Sequence, residues 1–145
     1  MKARMAAALL SLVGLFVAVY LYLYKIGRIG TLACGTGSCE AVQLSRWSRF
    51  LGVDVALIGA VGYAGLFLLA MIALQPALAG RRWPAAWLAV LSGIGVLFSL
   101  YLSYLELFVL HAICRWCVGS ALIITAVFIA SLVAVRGVEA RPRRA

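Results

Sequence analysis

Residues 87–117 read WLAVLSGIGVLFSLYLSYLELFVLHAICRWC, an apolar run that ends in the pair Cys114-Arg115-Trp116-Cys117. Crossing the hydrocarbon core as a helix takes about 20 apolar residues, so residues 87–110 are predicted to span a bilayer with the cysteines at its edge. Working outward, three further runs have the required length, at residues 5–24, 55–74 and 118–135. The prediction is an all-α membrane protein, a four-transmembrane-helix bundle filling most of the 145 residues. Hydrophobic residues make up 66% of the chain and charged residues 12%, against about half and about a quarter in soluble domains, which excludes a water-soluble globule. A second domain needs on the order of 100 residues more, so residues 1–145 are read as one membrane domain with a loop at 25–54 and a tail at 136–145.

Lysine and arginine close to span ends are retained in the cytoplasm. An even number of spans puts both termini on one side, together with Lys2, Arg4, Arg81, Arg82, Arg136, Arg141, Arg143 and Arg144. The opposite side carries Lys25, Arg28, Arg46, Arg49 and Arg115, tempered by Glu40 and Asp54. Both termini are therefore expected to be cytoplasmic, and the net charge of +9 follows from topology and contact with anionic lipid headgroups. Nucleic-acid binding is argued against, because Arg141, Arg143 and Arg144 have no interleaved aromatics and no fold behind them. In this topology the loop 25–54 and the connection 111–117 face outward, and all four cysteines share the oxidising side, where disulfides persist.

The N-terminus resembles a signal peptide, yet its apolar run has the length of a full span and no small-residue cleavage pattern follows closely. Thr31-Leu32-Ala33-Cys34 resembles a lipoprotein cleavage box, but Lys25 and Arg28 separate it from the apolar core. Both readings are set aside.

Two residues between Cys114 and Cys117 let the sulfurs face each other across the first turn of a helix, whose free N–H groups and dipole favour a thiolate. Arg115 adds positive charge beside them. The bland alternative is an inert disulfide stapling the turn. Cys34 and Cys39 bracket Gly35-Thr36-Gly37-Ser38, so a disulfide there would close a small, glycine-rich ring suited to shuttling electrons between two partners. A loop staple, or a four-thiolate zinc site built from both pairs, remains open on spacing alone; the oxidising side and the paucity of nearby carboxylate or imidazole weigh against metal.

After Cys39, residues 40–52 place Leu44, Trp47 and Leu51 on one helical face and Gln43, Arg46 and Arg49 on another. This predicts a short interfacial helix lying on the membrane and ended by Gly52, either roofing a pocket beside Cys117 or serving as an anchor.

Taken in order, these motifs resemble the vitamin K epoxide reductase family in its bacterial form. The likeness is carried by Cys34…Cys39-Glu-Ala-Val-Gln-Leu-Ser45-Arg-Trp47-Ser-Arg-Phe-Leu-Gly52, by Gly59-Ala-Val-Gly-Tyr63, and by Ser99-Leu-Tyr101-Leu-Ser-Tyr104-Leu-Glu106 running on to Cys114-Arg-Trp-Cys117. The resemblance implies a membrane thiol:quinone oxidoreductase in a bacterial inner membrane. Cys34 would exchange with a thioredoxin-like or DsbA-like periplasmic partner, Cys39 would attack the Cys114–Cys117 disulfide at Cys114, and Cys117 would face ubiquinone or menaquinone. Ser45, Trp47 and Gly52 belong to the loop and its roof; Gly59, Tyr63, Tyr101, Tyr104 and Glu106 are candidates for the quinone pocket; no metal is implied. Many bacterial members carry a fused thioredoxin-like domain that has no counterpart in these residues, so a separate partner is expected. Vertebrate members carry an asparagine near the start of the second span and a tyrosine shortly after the CxxC, and those positions hold Val55 and Ala121. Contacts to the quinone carbonyls must then come from elsewhere.

Residue by residue, simpler roles are also expected. Glu106, an acid inside a span, could deliver protons, though reaching the interface or pairing with an arginine such as Arg115 is the preferred reading. His111 is expected at the surface, Tyr63, Tyr101 and Tyr104 as packing or interface aromatics, and Gly59, Gly62, Gly65, Gly93 and Gly95 as sites of close helix contact. Two rivals stand beside the redox reading. A DsbB-type quinone reductase would carry its pairs in the reverse order, and a non-enzymatic assembly factor or small transporter would use the disulfides as staples only.

Overall fold

The computed structural model describes residues 2–26, 49–50, 52–78, 80–111 and 115–140. Helix α1 (Lys2–Lys25) is followed by two-residue strands β1 (Arg49–Phe50) and β2 (Val53–Asp54), and then by α2 (Val55–Leu74). Helix α3 (Trp83–Tyr104) continues into a π-helical segment (Leu105–Leu110), and α4 (Arg115–Ala140) follows. Each of the four long helices is apolar and long enough to cross a membrane, so the chain is an all-α, four-span protein.

Helix α2 occupies the predicted span. Helix α3 begins at Trp83 rather than at residue 87, because Pro84 has a preset φ and lacks only an N–H that a first turn leaves unused. Helix α4 extends past residues 118–135 at both ends and takes Arg115, Trp116 and Cys117 into its first turn. The predicted interfacial helix lies outside the described residues up to residue 48. Its expected last turn is not helical: Arg49 and Phe50 pair antiparallel with Asp54 and Val53. Gly52 therefore serves a tight reversal rather than a helix end, and its φ of 82° is the left-handed value such a turn requires.

Antiparallel packing is fixed by side chains small enough to let backbones approach. Ala7, Ala8, Ser11, Gly14 and Ala18 line the inner face of α1 in steps of a helical turn, and Ala56, Ala60, Ala70 and Ala73 do the same on α2. In lipid there is little hydrophobic drive between helices, so such close van der Waals contact holds them together. A Cβ at Gly14 would overlap the ring of Tyr63, and one at Gly59 would meet Ala18 at 3.6 Å. At the far end of the same seam Arg4 Nη1 donates to the Ala73 carbonyl at 2.8 Å, satisfying a backbone acceptor in the last turn of α2.

Helix α4 closes against α1 and α3. A Cβ at Gly95 would stand 2.8 Å from Ile124, and one at Gly93 would stand 3.2 Å from Phe128. The contact between α2 and α3 is the least extensive of those around the bundle. Phe16, Val61, Leu97 and Leu122, one from each helix, are 66–68% exposed and form an outer surface suited to lipid. Inside, Ser92 and Ser131 donate to Leu88 and Val127 carbonyls of their own helices, at 2.6 and 2.7 Å, so these hydroxyls need no water.

Gly14→Ala should destabilise the bundle by about 1–3 kcal/mol, the usual cost of overpacking. Gly62→Ala, where an added Cβ meets nothing within 4 Å, should cost nothing and gain up to about 1 kcal/mol of helix propensity. Thermal unfolding of the two variants in detergent checks the contrast.

Candidate active site

Cys117 is the third residue of α4, and the first turn of that helix docks on the end of α1. The Trp116 ring lies 5.1 Å from that of Tyr20, tilted by 51°. Cys117 is half-buried against a cluster centred on Leu21 and Ala56, with Val17 and Tyr24 packed around it. Ala56, in the first turn of α2, brings that helix into the same cluster. Cys34, Cys39, Ser45, Trp47 and Cys114 lie outside the described residues.

The approach to this turn is irregular. His111 is exposed with a φ of 50°, a left-handed conformation uncommon for a residue with a side chain. The π-helical segment before it buries Glu106 to 5% exposure while Leu107, Phe108 and Val109 face outward. Glu106 is therefore buried, whereas Arg115 is exposed.

Below Cys117 a cavity of about 400 Å³ lies between α2, α3 and α4. Gly59, Gly62 and Gly65 of α2 and Gly95 of α3 form much of its wall, and Ser120 and Ile124 line it from α4. Added Cβ atoms at Gly62 and Gly65 would meet nothing within 4 Å, so these two glycines leave space open instead of allowing close contact, as expected of them. The cavity reaches the lipid-facing surface where α2 and α3 diverge, beside Val61 and Ile94, which are 66% and 58% exposed.

Its polar groups are few. Among the described lining residues only Tyr63, Ser99 and Ser120 carry polar side chains. The Tyr63 hydroxyl donates to the Ser120 carbonyl at 2.8 Å and also lies 2.9 Å from Ser120 Oγ. Ser120 follows Cys117 by three residues, one turn and about 4.5 Å along the helix axis, and shares its face.

Of the sequence candidates, Gly59 and Tyr63 line this cavity. Tyr101 and Tyr104 do not: they are 41% and 55% exposed, and Tyr104 packs on Phe108 with ring centroids 5.1 Å apart. Their place is the lipid-facing aromatic surface near the membrane boundary. Glu106 is likewise absent from the described lining. Ser120 was not singled out from the sequence, although its spacing from Cys117 marks the same helical face. No cluster of three metal-ligating side chains occurs among the described residues, and the four-thiolate alternative involves cysteines outside them.

A half-buried cysteine in the first turn of α4 thus stands one turn above a largely apolar, lipid-accessible cavity in a protein of four apolar, membrane-length helices. The vitamin K epoxide reductase family model matches residues 5–132, and the chain belongs to that family. The family's general chemistry is thiol–disulfide oxidoreduction with a quinone as electron acceptor and a thioredoxin-like partner. This chain is accordingly a multi-pass membrane protein.

The docking of α4 on α1 through Tyr20 and Trp116 is testable. Tyr20→Ala should destabilise the protein relative to wild type by about 1 kcal/mol or more through loss of the ring pair. Thermal unfolding in detergent reads the difference.

Proposed function

We propose that this protein oxidises a thioredoxin-like or DsbA-like partner on the extracytoplasmic side and passes the electrons to ubiquinone or menaquinone in the cavity. The observation that carries the reading is the position of that cavity, one helical turn below Cys117 and open to lipid between α2 and α3. A lipid-soluble acceptor can reach it without crossing water. The volume of about 400 Å³ falls in the range of small-molecule sites, roughly 300–1,000 Å³, and the apolar wall suits a flat ring with a hydrocarbon tail.

The relay then runs through two exchanges. Cys34 and Cys39, as the outer pair, take two electrons from the partner dithiol; their disulfide opens as the partner's closes. The Cys39 thiolate attacks Cys114, breaking the Cys114–Cys117 disulfide and re-forming Cys34–Cys39. Oxidation of the Cys114 and Cys117 thiols gives back their disulfide, and their two electrons and two protons pass to the quinone, giving the hydroquinone. The loop with Ser45, Trp47 and Gly52 is assigned the roof over this step. Both chain ends are placed in the cytoplasm by the positive charge of Lys2, Arg81, Arg82 and Arg136, and disulfide formation in a bacterial envelope is the process served.

Purified protein given a reduced thioredoxin-like partner and ubiquinone-1 should reduce the quinone, followed by its ultraviolet absorbance. Cys117→Ser should abolish that reduction while a mixed disulfide between Cys34 and the partner still forms; full turnover in this variant would refute the relay. Gly65→Leu should fill the cavity and raise the quinone KM about tenfold or more, since a leucine side chain takes up the space the ring needs.

A further inference from the structure

We propose, resting on the assignment of the cavity as the quinone site, that Tyr63 and Ser120 form a two-hydroxyl donor chain that holds one carbonyl oxygen of the quinone. The apolar Val55 and Ala121 cannot provide such a contact.

Counting protons identifies the donor. A tyrosine and a serine hydroxyl each carry one proton. Tyr63 donates to the Ser120 carbonyl at 2.8 Å, so the 2.9 Å contact between the two hydroxyls is made by the Ser120 proton pointing at Tyr63 Oη. Both protons are thus committed within the protein. They are not equally held. The Ser120 carbonyl is an α-helical acceptor that already takes the amide four residues on, so it stays satisfied when the Tyr63 proton leaves. A quinone carbonyl, which can only accept, draws that proton to itself, while Ser120 keeps donating to Tyr63 Oη. The resulting chain, Ser120 to Tyr63 to ligand, is polarised in one direction, and each bond strengthens the next.

The placement favours this pair. Tyr63 is only 5% exposed, and its ring is held on the other side by Gly14, where a Cβ would overlap it. Tyr63 and Ser120 both line the cavity, and the hydrogen bonds between them hold the Tyr63 hydroxyl against α4 one turn from Cys117. Negative charge grows on the carbonyl oxygen as electrons arrive, so a preorganised donor there acts on turnover as well as on binding. Tyr63 and Ser120 are thus binding groups for the acceptor.

The test uses full-length protein in detergent with ubiquinone-1 carrying ¹³C at its carbonyls. In wild type the bound carbonyl stretch should lie below its value in detergent alone. In Tyr63→Phe, which keeps the ring, it should return toward that value, with quinone KM raised about three- to tenfold and kcat lowered. Ser120→Ala should move the stretch part of the way, Ser120→Thr should restore it, and Ser120→Ala carries the test should Tyr63→Phe fail to fold. An unchanged stretch and KM in both Tyr63→Phe and Ser120→Ala, or a shift that follows Ser99→Ala instead, overturns the proposal. Photolabelling of wild type with an azidoquinone separates the two levels. Label in α2 and α3 with no effect of Tyr63 or Ser120 sinks the donor chain alone, whereas no label in the cavity sinks the quinone site and the donor chain together.

Discussion

The ring of Tyr63 occupies the space where a side chain on residue 14 would be, and the arrangement of the helices around the cavity below Cys117 follows from that contact. A glycine on α1 lets α2 approach until the ring of Tyr63 passes between them. Its hydroxyl then reaches α4 at Ser120. One residue thereby ties three helices at a single depth, one turn below Cys117. In a bilayer this matters more than it would in water, because lipid competes equally well for apolar surface and only close fit and satisfied hydrogen bonds distinguish one helix arrangement from another.

The bundle is uneven as a result. Small residues draw α1 to α2, glycines at 93 and 95 draw α3 to α4, and the first turn of α4 rests on α1 through Trp116 and Tyr20. Closing three sides tightly leaves the fourth, between α2 and α3, loosely joined. Gly62 and Gly65 face this gap with open space beside them, so the same residue type that seals one interface keeps another unsealed. The cavity is a consequence of where the close contacts were made, and its mouth faces lipid because that is where they were not.

Much of this was legible in residue order. Apolar run lengths predicted four spans, and the spacing of Cys114 and Cys117 predicted a helix start. Exposed positions such as Leu97 and Leu122 follow from helices that are apolar on every face. What could not be read was direction. The sequence contains tyrosines at 63, 101 and 104, and composition treats them alike; only packing turns Tyr63 inward and leaves the other two against lipid. Ser120 was hidden for a related reason, since a serine in a span can satisfy itself on its own helix, as Ser92 does, and gives no signal that it partners another. The strand pair at Arg49–Phe50 was missed because a helical pattern of apolar residues takes no account of the tight reversal at Gly52.

The π-helical segment has a structural rationale in the same terms. Helix α3 must end at the membrane boundary and return into α4 within the few residues that carry the CxxC. Continued α-helix through Leu110 would turn Glu106 and its neighbours by the ordinary 100° per residue; a wider turn re-phases them. In the structure Leu105 and Glu106 are buried while Leu107, Phe108 and Val109 face out, and the His111 amide closes the segment on the Glu106 carbonyl. His111 then takes a left-handed conformation, at a cost of about 1–2 kcal/mol, to reverse the chain. A left-handed residue so close to the start of α4 is unfavourable in isolation. It is tolerated because the tight contacts of α4 with α1 and α3 fix where α4 begins, and the π-helical segment and the turn at His111 set where α3 ends relative to it.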